Sequence, residues 1–247
     1  KSYSFEKTKE WLLNPQITWL KENDIQSKEF VNLIEDNDLL ELSELERYKL
    51  LKHRLENSDL RKINDLKQLT YWKETYSGKG IFPPKGAGLI EEDLLEDRWN
   101  TLISAINATG KITKKNVEMQ ELEGEFYFGG KDLLQIEVGS LKYRTIMTAW
   151  LNHLYLSANS SFNSKTIIIS KKTGYGKKIN FEVSKEISPI NTKEATETLK
   201  QIHLLAATGR NSCWPIPPES GLAYAIATKE KKKDERDLFQ KKWEGDL

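Results

Sequence analysis

Four glutamates are the residues of this chain best suited to chemistry. Glu91 and Glu92 follow a glycine-rich stretch, Glu125 stands in Gly124-Glu125-Phe126-Tyr127, and Glu137 closes Gln135-Ile136-Glu137. Carboxylates brought together can hold a divalent cation, which polarises a phosphoryl oxygen or makes a nucleophile of bound water. Other chemistries are poorly represented. His53, His153 and His203 each fall inside a predicted helix with no second metal-binding type at ligand spacing, and read as structural. No GxSxG elbow, Walker loop or GxGxxG follows a predicted strand, and the glycines between 78 and 88 lack the Lys-Ser/Thr on which a phosphate loop ends. Cys213 is the single cysteine, so neither an internal disulfide nor a zinc cluster of cysteines is expected.

A second group of residues suits nucleic acid. Lys165, Lys171, Lys172, Lys177, Lys178 and Lys185 surround a predicted hairpin, with Glu182 alone opposing them inside that window, and Lys111, Lys114 and Lys115 precede the first strands. Such clusters position a phosphate backbone without reading its sequence. Tyr175, at the hairpin tip, could stack on an unpaired base. The competing reading is edge-strand lysine that blocks sheet-to-sheet pairing. The run from Lys229 to Arg236 mixes signs and reads as a solvated helix face. With 38 basic and 37 acidic side chains the formal charge is +1, so the global field argues neither way. Seven tryptophans are read chiefly as core anchors, with a partner-facing role as the alternative.

These residues need elements to place them. Helices are expected around Trp11 and Trp19, with a restart at Asn14-Pro15, and from a capping box at Ser43–Glu46. In the latter, Leu42, Leu45, Tyr48, Leu51 and Leu55 would share one face. A further helix is expected from Ser58-Asp59 towards Trp72 and Tyr76. The glycine–proline cluster between Gly78 and Gly88 breaks the chain, and a helix follows from about Leu89 to Ala108. Strands are expected at 117–120, at 123–128 after a kink, and at 133–138 beyond a Gly129-Gly130 turn. A helix over 143–158, a hairpin pairing 166–169 with 178–183, and a helix from Thr192 to Gly209 complete the pattern. The chain thus reads as α/β: residues 1–77 a helical annex, and 78–247 an α/β domain with C-terminal helices.

Turn, helix, three short strands and helix is the layout of metal-dependent nucleases of the PD-(D/E)xK, restriction-endonuclease-like type. Their chemistry requires an Asp on one strand and an acidic-x-Lys on the next. Within that layout a family resemblance becomes specific. Gly86-Ala87-Gly88-Leu89-Ile90-Glu91-Glu92, then Thr148-Ala149-Trp150-Leu151-Asn152-His153-Leu154-Tyr155-Leu156-Ser157-Ala158, then Pro217-Pro218-Glu219-Ser220-Gly221-Leu222-Ala223-Tyr224 resemble the C-terminal domain of RecC, the gamma subunit of exodeoxyribonuclease V. Leu45-Glu46-Arg47-Tyr48 and Trp243-Glu244-Gly245 add weaker support.

The resemblance implies a nuclease-like domain, related to that of the partner subunit RecB, whose catalytic residues have been lost. The residues agree on chemical grounds. Tyr127 stands where a metal-binding Asp is expected, and a phenol does not ionise at neutral pH to replace it. Gln135-Ile136-Glu137, or Glu137-Val138-Gly139 one register later, lacks the lysine. The degenerate positions are therefore Glu91, Glu92, Tyr127, Gln135 and Glu137, with no catalytic residue expected. Glu91, Glu92, Glu125 and Glu137 could still gather and hold a metal loosely.

What the resemblance implies about function is a place in the RecBCD helicase-nuclease, with RecB- and RecD-like partners and double-stranded or forked DNA. ATP and Mg²⁺ are expected in the partner subunits and no cofactor here. Chi recognition would belong to domains upstream. The chain opens on Lys1 and stops at Leu247 within a charged stretch, so a piece of a longer chain is expected. With no apolar run near the ~20 residues of a membrane span, a bacterial cytoplasm is expected. The rivals are a divergent Mg²⁺-dependent nuclease using Glu91, Glu125 and Glu137, and a protein-interaction module without DNA contact.

Overall fold

Caps and breakers set the order of elements. In the computed structural model the described residues are 4–25, 40–62, 66–119, 122–159, 162–172, 179–211, 213–214 and 218–229. Ser4 caps α1 (Phe5–Leu13) by accepting from the Lys7 amide, and Pro15 opens α2 (Pro15–Glu22). Helix α3 (Glu44–Glu56) starts on the expected capping box, in which Ser43 and Glu46 satisfy each other's amides. Of the expected stripe Leu42 and Leu51 are buried and Tyr48 and Leu55 pack against the core, but Leu45 is 60 % exposed, and Arg47, Leu50 and Arg54 also turn inward. Two arginines can be buried there because each meets a carboxylate, and Arg54 is also held between aromatic rings.

The predicted helix after Ser58 is divided into a short 3-10 turn (Leu60–Lys62) and α4 (Leu66–Gly78). Helix α5 (Gly86–Asn107) begins three residues earlier than the glycine cluster suggested. Gly88 is needed inside it, since a Cβ there would lie 2.3 Å from the Pro83 carbonyl oxygen.

The strands are β1 (Ile112–Met119), β2 (Leu122–Gly129), β3 (Asp132–Ser140), β4 (Thr166–Lys171) and β5 (Phe181–Ile187). The kink expected before Glu123 is a reversal: β1 and β2 form an antiparallel pair from Ile112↔Gly129 to Met119↔Leu122. Helix α6 (Tyr143–Asn159) crosses over from β3 to the parallel β4, and β5 returns antiparallel as expected. The sheet order is β1-β2-β3-β4-β5. Helices α7 (Thr192–Gly209) and α8 (Pro218–Lys229) follow, so the described residues form an α/β fold with eight α-helices and a five-stranded mixed sheet.

Period-two alternation sorts the side chains between two faces. Leu134 and Val138 of β3, Ile167 and Ile169 of β4 and Phe181 of β5 pack against Leu51, Leu60, Trp99, Leu102 and Ile106. On the other face Phe128 and Leu133 meet Leu156 of α6, and a further layer joins Phe5 of α1 to Leu151, Leu154 and Tyr155 of α6 and Leu199 and Ile202 of α7. The expected N-terminal annex is thereby split: α1 belongs to the α6–α7 layer, and α3 lies on the opposite face. Among the described residues, no helix is long and apolar enough to cross a membrane.

The ladder between β2 and β3 closes only two pairs, Phe128↔Leu133 and Gly129↔Asp132. From Tyr127 backwards and Leu134 onwards the two strands part, which opens the sheet.

Candidate functional site

The four glutamates do not converge. Glu91, on the inward side of α5, is 3 % exposed and receives a bidentate fork from Arg47 of α3: Nε donates to Oε2 at 2.8 Å and Nη2 to Oε1 at 2.6 Å. Arg47 Nη1 donates to Glu44 Oε1 at 2.8 Å, and Arg98 of α5 donates to both Glu44 oxygens at 2.8 and 3.1 Å. The paired carboxylates push the Arg47 pKa up, Glu91 most of all. Hydrogen bonding from Arg98, aided by Arg47, draws the Glu44 carboxyl down from 4.5 to about 2. Both oxygens of Glu91 are thus engaged in a buried arginine network that a cation would have to dismantle.

The others are equally committed elsewhere. Glu92 Oε1 accepts from Ser77 at 2.9 Å. Glu137 accepts from its near neighbour Gly139 N at 2.9 Å and from Thr145 Oγ1, in the first turn of α6, at 3.0 Å. A carboxylate in that position also meets the positive end of the helix. Glu125 pairs with Lys114 across the β1–β2 ladder at 2.5 Å. The loose metal site that these carboxylates could have formed is not assembled: no group of three or more His, Cys, Asp or Glu able to hold a metal occurs among the described residues.

Two of the degenerate positions do share a site. Tyr127 of β2 and Gln135 of β3 line a cleft of about 620 Å³ where those strands part. Because the sheet is open there, both helical layers contribute: Leu55–Leu60 from one side, Glu6 and Lys9 of α1 and Asn152 of α6 from the other. Asp59 is at its rim, with Arg61 hydrogen-bonding its carboxylate and holding it at about 2. Asn152 is 8 % exposed, and its Oδ1 has no hydrogen-bond partner among the described residues.

The lysines are separated by the sheet. Lys111, Lys114 and Lys115 are at the β1 edge, whereas Lys171 and Lys172 end β4 and Lys185 lies on β5, at the opposite edge. Three strand spacings separate β1 from β4 and four separate it from β5, with the parting of β2 and β3 between them. Lys114 pairs with Glu125 and its Nζ is 5.7 Å from the Tyr127 ring centroid, while Lys115 Nζ is 4.9 Å from that of Phe128. Towards the far edge Lys172 meets Glu182 at 3.0 Å, and Lys165 meets Glu186, just beyond the window in which Glu182 stands alone, at 2.7 Å. Tyr175, Lys177 and Lys178 lie outside the described residues, as do Trp243 and residues 230–236.

Each histidine has a structural hydrogen bond: His53 with the Tyr76 hydroxyl at 2.6 Å, His153 with Thr166 Oγ1 at 2.8 Å, His203 with Thr8 Oγ1 at 2.9 Å. Burial lowers the His153 pKa, keeping that ring neutral inside the fold. Trp11, Trp72 and Trp99 are core residues, and Arg54 lies between the Trp72 and Trp99 rings at 4.3 and 4.2 Å. The sequence reading missed Arg47, Arg54 and Arg98. Their signal was spacing: Arg47 and Arg54 lie seven apart, two turns along one helical face.

The sequence pattern of the RecC C-terminal domain matches residues 2–229, and so takes in α1 through α8, the arginine network and the cleft. The chain belongs to the RecC C-terminal domain family. A comparison with curated proteins returns no match. Membership associates the chain with the RecC subunit of RecBCD, exodeoxyribonuclease V, and with DNA repair, and implies the partners of that complex in general. In this RecC domain the resemblance-bearing Glu91 is thus a structural ion-pair partner, and the Trp150–Ala158 segment is part of α6, with Leu156 against the sheet and Leu151, Leu154 and Tyr155 against α1 and α7.

Proposed function

We propose that this RecC domain is a nuclease-shaped, non-catalytic part of the RecBCD helicase-nuclease that contributes to subunit assembly and guides DNA strands during double-strand break repair. The order α5, β1-β2-β3, α6, β4 accords with a PD-(D/E)xK ancestry. The observation that carries the non-catalytic reading is the engagement of Glu91 with Arg47 and of Glu137 with Gly139 and Thr145, while Tyr127 and Gln135 occupy the cleft. At those two positions a phenol and an amide offer Mg²⁺ no charged ligand, and the carboxylates elsewhere in the lining, Glu6, Glu56, Asp59 and Glu125, are each ion-paired. ATP and Mg²⁺ chemistry belongs, in this reading, to RecB- and RecD-like partners, and the setting is the bacterial cytoplasm.

Strand guidance rests on Lys111, Lys114 and Lys115 at the β1 edge, on Lys171 and Lys172 at the end of β4, and on Tyr175, Lys177 and Lys178, which lie outside the described residues. Two tests apply. Incubation of supercoiled plasmid with the chain and Mg²⁺ or Mn²⁺ should leave it intact; metal-dependent cutting lost in Glu137→Ala overturns the reading in favour of the nuclease. Binding of a forked duplex at two salt concentrations should weaken at the higher, and further on replacing Lys171, Lys172, Lys177 and Lys178 by Glu. Unchanged affinity removes the hairpin from DNA handling and favours a pure interaction module.

A further inference from the structure

We propose that the apolar groove between α6 and α8 is occupied by the chain's own residues 238–247, with Phe239 and Trp243 seated in it, so that the segment following α8 clasps that helix to the fold. The inference is independent of the function proposed above, and it starts from surface left uncovered. The groove holds about 610 Å³ and is lined by Trp11 and Leu12 of α1, Ile146 and Trp150 of α6, Leu205 of α7 and Leu222 of α8. Leu205 is 41 % exposed, and Ile146, Trp150 and Leu222 are only partly buried. Four helices thus present apolar surface to water along one concavity, a feature that marks a contact site. Two charged residues of β5 also line it. Glu186 pairs with Lys165, whereas Lys185 is exposed and has no ion-pair partner among the described residues. Large apolar side chains beside a carboxylate are what such a groove fits.

Residues 238–247 lie outside the described residues, and their sequence has that chemistry. Phe239, Trp243 and Leu247 recur at spacings of four, which line one face of a helical segment, and Glu244 and Asp246 are beside them. With Leu238 they are the only large apolar residues of the sequence after Lys229. Reach favours this occupant over a free partner. Helix α8 is itself a wall of the groove, through Leu222 and Ala225, and the chain leaves it at Lys229. The way back from Lys229 to Leu222 is seven helical residues, or about 11 Å. The charged residues 230–237 span up to ~26 Å when extended, more than twice that return. A segment tethered so closely has an effective concentration of roughly millimolar at the groove, which a free segment of equal fit does not match.

The test uses the 247-residue chain, its double variant Phe239→Ser with Trp243→Ser, and a peptide of residues 236–247 with a capped N-terminus. Hydrogen exchange over 219–225 should be at least fivefold faster in the double variant than in the parent, and uptake of the dye anilinonaphthalenesulfonate at least threefold higher. The peptide should bind the double variant, restore the slow exchange and displace the dye, and should bind the parent at least tenfold more weakly. Lys185→Glu, added to the double variant, should weaken the peptide at least fivefold, and a peptide with Glu244→Lys and Asp246→Lys should recover the loss. Leu205→Glu in the otherwise unchanged chain, at an exposed position, should reproduce the faster exchange and guards against a double variant that fails to fold. Equal exchange and dye uptake in parent and double variant overturn the proposal. So does peptide binding as tight to the parent, which would leave the groove open to a partner. A parent that dimerises in sedimentation, where the double variant does not, gives the segment to a second copy and overturns the clasp within one chain.

Discussion

Glu91 on α5 and Glu125 on β2 are carboxylates of one fold, and their surroundings could hardly differ more. Glu91 is sealed between α3 and α5 with both oxygens on one guanidinium, whereas the Glu125 side chain is 57 % exposed at the mouth of an open sheet, with Lys114 beside it. The α3–α5 interface is closed because every charge in it is answered: Arg47 by Glu91 and Glu44, Arg98 by Glu44, Arg54 by Glu96 and two indole rings. The β2–β3 gap is open because two strands stop pairing after two residues each. The first arrangement buries its ion pairs, and the second leaves its own, Glu125–Lys114 among them, at the surface of a cleft.

The comparison is broken most severely at Arg47. Arg47→Ala strands a buried carboxylate and should cost about 3–5 kcal/mol in urea unfolding. A loss under about 1 kcal/mol would mean that the interface is wet. The paired replacement Arg47→Met with Glu91→Leu removes both charges at similar volume, and should recover most of that loss or exceed the parent by up to ~4 kcal/mol. If the double variant is no more stable than Arg47→Ala, packing rather than charge holds α3 to α5.

Acid sharpens the contrast next. Because the folded Glu44 pKa lies below its ordinary 4.5, near 2, its contribution is present above pH 4.5 and is lost as pH falls towards 2. Stability of the parent should decline across that window, and Glu44→Gln should flatten the slope. An identical pH profile in the variant would place the acid sensitivity elsewhere. Glu125→Ala is the smallest expected effect: its ion pair is largely solvated, so stability should change by less than about 1 kcal/mol. A larger loss would show that the gap is held open by that pair.

Much of the fold was legible in local pattern. The capping box at Ser43, the restart at Pro15, the end of α7 at Gly209 and the helix–strands–helix order all follow from a few adjacent residues. Boundaries slipped away from the sequence signals: β1 begins five residues before its alternation becomes visible, and Gly86 and Gly88 lie inside α5, Gly88 where the Pro83 carbonyl leaves no room for a Cβ. For the candidate site, the degenerate positions were nameable from sequence, but their fate was not. Glu91 resembled a residual ligand until Arg47, 44 residues earlier, was seen to claim it.

By itself the sequence determined the family, the α/β class, the lack of a lysine in Gln135-Ile136-Glu137 and Glu137-Val138-Gly139 and the presence of two lysine groups, since each depends on residue types at short spacing. Only the tertiary structure decided that the four glutamates stay apart, that the lysine groups occupy opposite sheet edges, and that β2 and β3 part to leave a cleft. Those are facts of long-range pairing, and a side chain's partner across the fold leaves no periodicity in the chain that carries it.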